Sequence, residues 1–268
     1  MNRTLVIGCA LLAPIVALAA VSLAWTPYGP ADTTGGRLTP PGAAHLLGTD
    51  RLGRDLLTLV MIGARTALTT GVLAVAISAL IGVAGGLAAG FAGRLADDVL
   101  AAALDILIAF PALILALLVV AAVRPSLFAT VLAIGLAMSA VLARLTRALV
   151  KGVLAQDYIT ASRASGTSWP RIVTGHVLPN IWPALSVNLA LQLGLAVLAE
   201  ASLAYLGLGA PQPDISWGRL LREAQATVFT SPISLIAPGL LLAMLVAGAN
   251  LAAQGLRLAA DPALRVTR

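Results

Sequence analysis

The residues with most chemistry to offer are cationic and close together: Arg144, Arg147, Lys151, Arg163 and Arg171. Lys151 is the only lysine of the chain, and no G-x4-G-K-[ST] phosphate loop surrounds it, so the usual lysine grip on ATP is excluded. No His/Cys/carboxylate cluster has metal-ligand spacing, and no nucleophile–base pair stands out. The chain reads as a non-enzyme. What remains is the chemistry of contact, a basic segment able to hold a loop at a membrane surface and meet another protein.

That segment is Gln156–Asn180, QDYITASRASGTSWPRIVTGHVLPN. Its pattern predicts a helix from about Asp157 to Ser165, a break at Gly166, and a second helix starting at Ser168–Pro170. Proline fits the first turn, where its missing N–H has no intrahelical partner, and Ser168 is placed as the N-cap. Gly166 supplies the backbone angles that a sharp turn needs. A short helix here offers apolar and cationic side chains outward, which suits docking.

The elements that position this loop are membrane spans. Of 268 residues, 59% are hydrophobic and 10% charged, with a mean hydropathy of +0.97; a soluble globular chain is excluded. Charge-free runs at Thr4–Trp25, Thr66–Gly93, Ile106–Val123, Pro125–Ala143, Ile172–Ala199 and Ala224–Leu256 each approach or exceed the ~20 residues that cross a bilayer core. The fold class is therefore all-α, a polytopic membrane protein of about six transmembrane helices. Pro14, Pro111, Pro183 and Pro238 lie in or near spans, where neighbouring helices satisfy the freed carbonyls. The chain divides into a first span with its external loop (1–45) and a transmembrane core (46–268).

The net charge of +6 follows a positive-inside bias, with no reason to invoke nucleic acid. With the N-terminus in the cytoplasm, that side holds Arg3, Arg94, Arg144, Arg147, Lys151, Arg163, Arg171, Arg257, Arg265 and Arg268. The other side holds Arg37, Arg51, Arg54, Arg65, Arg124, Arg219 and Arg222. The single Cys9 forbids an intramolecular disulfide and reads as a residue of an uncleaved first span.

Between the spans, Thr26–Gly42 is an extended Pro/Gly-rich loop. From Asp50, apolar residues Leu52, Leu56, Leu57, Val60 and Met61 at helical spacing predict an amphipathic interfacial helix. Gly82, Gly86 and Gly90 form a flat face for close packing against another span. Arg94, Asp97 and Asp98 mark a short polar turn, and Asp105 reads as solvated or paired with Arg94 ahead of a role in substrate binding. Arg124 and Pro125 cap a short loop. Glu200, an acid embedded in a span, lines a route for substrate or pairs with a neighbouring helix.

Four stretches resemble one family. Ala161–Ser162, Gly166 and Leu178–Pro179 have the spacing of the EAA loop, EAA-x3-G-x9-I-x-LP, of ABC importer permeases; Thr160, Ser162 and His176 replace the motif's Glu, second Ala and Ile. HLLGTDRLGRD at His45–Asp55 resembles the HxLGTDxxGRD segment of the peptide- and nickel-importing branch. LAEASLAYLGLGAPQPDISWG at Leu198–Gly218 is similar to AEAxLSFLGLG…PxxSWG, with Ala204 and Tyr205 at the Ser-Phe positions. Near the end, Asn250, Gly255, Leu256, Arg257, Asp261 and Pro262 match the family form, whereas Ala253, Gln254 and Leu258 depart from it.

The resemblance implies a type I ABC importer permease fold in a bacterial plasma or inner membrane. It assigns ATPase coupling to Asp157, Thr160, Ala161, Ser162, Arg163, Gly166, Leu178 and Pro179; Glu200, as an embedded acid, and Tyr205 are candidates for the translocation path. Implied partners are a second homologous permease, two cytoplasmic ATPases and an external substrate-binding protein. ATP and Mg would sit on the ATPases, with no cofactor or metal in this chain. The expected cargo is di- or oligopeptides, with nickel or a metallophore as alternative. A secondary transporter, expected to show broken helices in inverted halves, and a structural subunit of some other complex are the readings from other classes.

Overall fold

In the computed structural model, residues 3–33, 35–123, 125–211 and 213–260 are described. Arg124, Asp261, Pro262, Arg265 and Arg268 lie outside them. Ten α-helices are present among the described residues: α1 (Arg3–Ala24), α2 (Leu56–Phe91), α3 (Arg94–Ala109), α4 (Ala112–Ala122), α5 (Leu127–Leu154), α6 (Asp157–Ala164), α7 (Trp169–Ile172), α8 (Leu178–Tyr205), α9 (Trp217–Ala224) and α10 (Ile233–Ala260). Five are long and apolar enough to cross a membrane, or six spans if α3 and α4 count as one. No strand occurs among the described residues, so the all-α reading holds.

Several expected boundaries move. The third span is broken: α3 and α4 meet at 87°. Phe110, before Pro111, takes extended angles (φ −81°, ψ 130°), as the proline ring requires of its predecessor. Arg94, Asp97 and Asp98 are the opening of α3 and not a turn. Asp105 pairs with Arg144 at 3.2 Å, in place of Arg94. The last span begins at Ile233, since α9, a 3₁₀ turn at Gln225–Thr227 and a short link occupy the residues before it.

The interfacial helix expected from Asp50 is also absent. Asp50 folds residues 50–54 into a turn, its Oδ1 accepting from the N–H groups of Leu52 (2.8 Å) and Arg54 (2.9 Å). α2 starts only at Leu56, where the N-cap Asp55 accepts from the Thr58 N–H at 2.8 Å. It then runs 36 residues without a break. Leu56, Leu59, Val60 and Met61 are all buried, because α1, α9 and α10 surround this end of α2.

Packing follows the small residues. α5 lies along α2 with Gly82 against Leu142, Gly86 against Thr146 and Gly90 against Val150; a Cβ on any of the three would fall 2.4–2.8 Å from the partner. The expected glycine face is thus a helix–helix seam, where backbones approach and dispersion replaces a hydrophobic driving force. α1 packs against α10 by the same device, Gly8 meeting the backbone of Ala252.

Candidate functional site

The 156–180 loop hangs from the end of α5. Helix α6 runs Asp157–Ala164, close to the expected bounds, with Asp157 in its first turn and Arg163 in its last, signs that suit the helix dipole. Only Ile159 is buried, joining Val150, Ile172, Val177 and Ile181 in a core beneath the loop. Asp157, Tyr158, Thr160, Ala161, Arg163 and Ala164 are exposed, and Ser162 is half-buried. One apolar peg therefore seats a helix whose remaining faces are open.

The turn after α6 is a Schellman motif. Thr167 N–H donates to Ser162 O (3.1 Å) and Gly166 N–H to Arg163 O (2.9 Å). Gly166 has φ +80°, with no neighbour within 4 Å of a built Cβ, so backbone angle and not space demands glycine. The Arg163 guanidinium stacks 4.2 Å from the centroid of the Trp169 ring, and Trp169 meets Phe91 of α2 edge-on at 5.3 Å. Ser168 occupies the N-cap of α7 as expected, but its side chain makes no capping bond.

The motif pair Leu178–Pro179 has a local job. Pro179 has no N–H to return to the preceding turn, and Val173–Val177 there widens into a π-helical turn. Leu178 N–H reaches back five residues to Val173 O. Through it, α7 continues into α8 as one long apolar helix.

Behind α6, Asp97 of α3 gathers two cations of α5. Its Oδ1 accepts from Arg147 Nε at 2.5 Å, its Oδ2 from Arg147 Nη2 at 2.9 Å, and Lys151 Nζ closes on the same carboxylate. This ties α3 to the last turns of α5, directly before the loop. Sequence reasoning placed these residues on one side but did not pair them. Their common side of the membrane was the only available signal.

At the other end of the subunit, His45–Asp55 closes on itself. His45 Nδ1 lies 3.0 Å from Asp55 Oδ1, and its ring packs 4.7 Å from that of Tyr28. His45 is therefore a loop fastener, and no group of His, Cys, Asp and Glu able to hold a metal occurs among the described residues. Arg54 bridges Asp50 (2.6 Å) and Glu223 of α9 (3.0 Å). The Ser216–Trp217 pair begins α9: Ser216 caps it, and the buried Trp217 indole donates to Val60 O at 3.0 Å.

Glu200 is 1% exposed. It sits inside the subunit beside Ser216, and its Oε2 has no hydrogen-bond partner. Tyr205 is exposed, its hydroxyl 2.9 Å from Gln225 Oε1. The two are not brought together with the 156–180 loop. An apolar groove of about 400 Å³ between α4, α5 and α8 is lined instead by Asn188, Gln192, Met138 and Ser202. Gln192 Oε1 accepts from Ser78 Oγ (2.8 Å) and its Nε2 donates to Asn188 (3.1 Å). Sequence reasoning missed this amide pair, though two amides four apart in an apolar span were visible.

The matches to known proteins agree with this architecture. Residues 81–266 fit the family model described as "Binding-protein-dependent transport system inner membrane component". The chain is 38% identical to a putative peptide transport system permease protein of Brucella suis, over 99% of this chain and 90% of the relative. It is 39% identical to a di/tripeptide transport system permease protein of Pseudomonas aeruginosa (97% and 86%). Identity to a dipeptide transport system permease protein of Alkalihalophilus pseudofirmus is 34% (98% and 87%). Broken helices, an exposed loop helix and a chain-long match converge: this chain belongs to the family of binding-protein-dependent transport system inner membrane components.

Proposed function

We propose that this subunit forms half of the translocation pore of an ATP-driven importer of di- or oligopeptides, and that α6 is its contact with the ATPase. The observation that carries the reading is a helix with one buried side chain, Ile159, and every other residue exposed apart from the half-buried Ser162. The peptide cargo is supported by the names of the relatives, and the family sets aside the ion-gradient-driven alternative.

The mechanism follows from what α6 is attached to. Closure of two ATPases around ATP and Mg would displace α6 in their groove. Ile159 passes the displacement to the core under the loop, and Asp97 passes it from α5 to α3. The glycine seam makes α2 follow α5. α4, bent away from α3, and α8, which both border the groove, are then the elements free to tilt against a second permease subunit. Asp157, Thr160, Ala161, Ser162 and Arg163 form the contact, while Gly166 and Leu178–Pro179 set its angle. Glu200 acts from inside the subunit, holding α8 to α9 beside the path, and Tyr205 stands at the path's rim.

The test is reconstitution of the permease pair with ATPases and loaded binding protein. Peptide uptake and ATPase retention by wild type, both lost in Ala161→Trp with membrane insertion intact, is the expected result. Full retention of both would remove α6 from the coupling role.

A further inference from the structure

At the end of the subunit opposite the 156–180 loop there is a second, polar cavity of about 650 Å³. The 28 residues of α8 separate the two ends by about 42 Å. The cavity is floored by small residues, among them Ala204, Gly207 and Gly209, and walled by Arg51, Arg219 and Arg222 with Glu223. A concavity of this size suits a small molecule.

Its charges are unequally used. Glu223 is already satisfied, Oε2 accepting from Arg54 and Oε1 from Arg219, each at 3.0 Å. Arg51 and Arg222, both exposed on the wall, make no hydrogen bond or ion pair with any described residue. The Arg222 guanidinium lies over Gly207, which ends α8 at φ +88°. A Cβ there would stand within van der Waals overlap of Arg222 Nη1. Glycine thus serves both the turn and the room that Arg222 occupies. Two guanidinium forks without a partner among the described residues face a cavity whose one acid among them, Glu223, is neutralised, and such forks match a carboxylate bidentately.

We propose that this cavity receives the C-terminal carboxylate of the transported peptide, held by Arg51 and Arg222 at the outer mouth of the pore. The proposal rests on the peptide reading above. An acidic side chain of the binding protein offers the same chemistry. The lining of small residues, Ala204, Gly207, Gly209 and Ala210, leaves room for the free end of a small molecule and favours it over a side chain on a folded surface.

The experiment uses the complete transporter in proteoliposomes with its binding protein and dialanine as probe. Arg51→Gln, Arg222→Gln and the double variant are compared with wild type for uptake at saturating binding protein. The binding-protein concentration giving half-maximal ATP hydrolysis is measured alongside. The expected result is a roughly tenfold or greater loss of uptake in the double variant, with that half-maximal concentration unchanged and uptake partly restored by the two Arg→Lys changes. Uptake equal to wild type overturns the proposal. A raised half-maximal concentration with full uptake at saturation also overturns it, assigning the arginines to binding-protein docking. If the double variant does not assemble, Arg51→Gln alone, on an exposed turn, decides between the same outcomes. Wild-type complex that moves neither dialanine nor a longer oligoalanine removes the peptide reading itself, whereas uptake that survives both substitutions removes only this cavity's role.

Discussion

Trp217 sets the Cδ1–Nε1 edge of its indole against Gly63: a Cβ added at Gly63 would stand 2.5 Å from Cδ1 and 2.8 Å from Nε1. The contact fixes α9 onto the first turns of α2, and the indole N–H adds a bond to Val60 O. Removing this fully buried ring by Trp217→Ala should cost about 3–5 kcal/mol, and Gly63→Val should destabilise by overpacking, about 1–3 kcal/mol. Thermal unfolding of the detergent-solubilised protein measures both. Trp217→Phe should fall between wild type and Trp217→Ala, since the packing stays while the indole bond goes.

Gly166 separates backbone strain from crowding, because its surroundings are empty. Gly166→Asn, a residue that tolerates left-handed angles, should keep most ATPase retention. Gly166→Val should lose it, an ordinary side chain costing roughly 1–2 kcal/mol in that conformation and a β-branched one more. Equal behaviour of Asn and Val in a pull-down of the ATPase would show that the turn's angle does not matter.

The Asp97 clamp should answer to charge reversal. Asp97→Lys places three cations together and should uncouple hydrolysis from loaded binding protein. Adding Lys151→Asp should recover part of the coupling, as a restored pair does in a double-mutant cycle. No recovery with correctly inserted protein would mean that the clamp only decorates the end of α5.

Topology is open to a direct check. In a Cys9→Ala background, Ala164→Cys and Thr33→Cys both fall on exposed positions. An impermeant thiol reagent applied to intact cells should label position 33 and spare position 164 until the membrane is opened. The reverse pattern would invert the assignment of sides.

Glu200→Gln keeps the shape of an enclosed side chain and replaces its carboxyl group with an amide. Transport should fall while assembly with the partner subunit survives, because the carboxyl joins α8 to Ser216 at the start of α9. Normal transport in the variant would mean that this link between α8 and α9 plays no part in transport.

The loop was the most legible part of the chain. Gly166, Ser168 and Pro170 carry strong local conformational preferences, and the short helix fell where those preferences put it. The spans were legible in number but not in extent. Hydropathy registers apolar character and misses the 87° bend at Phe110–Pro111, although the proline announced it. The stretch from Leu52 to Met61 misled because its periodicity is genuine, yet α1, α9 and α10 cover the side that a membrane surface was expected to meet. The Asp97–Arg147–Lys151 clamp and the Ser78–Gln192 pair join residues far apart in the chain, and nothing in one sequence pairs them.

The seam of Gly82, Gly86 and Gly90 against α5 also has a practical consequence. With Leu142, Thr146 and Val150 of α5 seated directly on the bare glycine backbone of α2, the two helices have little freedom to slide, and together they form a built-in ruler. Spin labels on the outer faces of these two helices should report one unchanging separation throughout the transport cycle. A pair spanning α4 and α8 should report two. The first pair calibrates the second within the same molecule, so a change in distance across the groove can be told apart from tumbling, label rearrangement or partial unfolding.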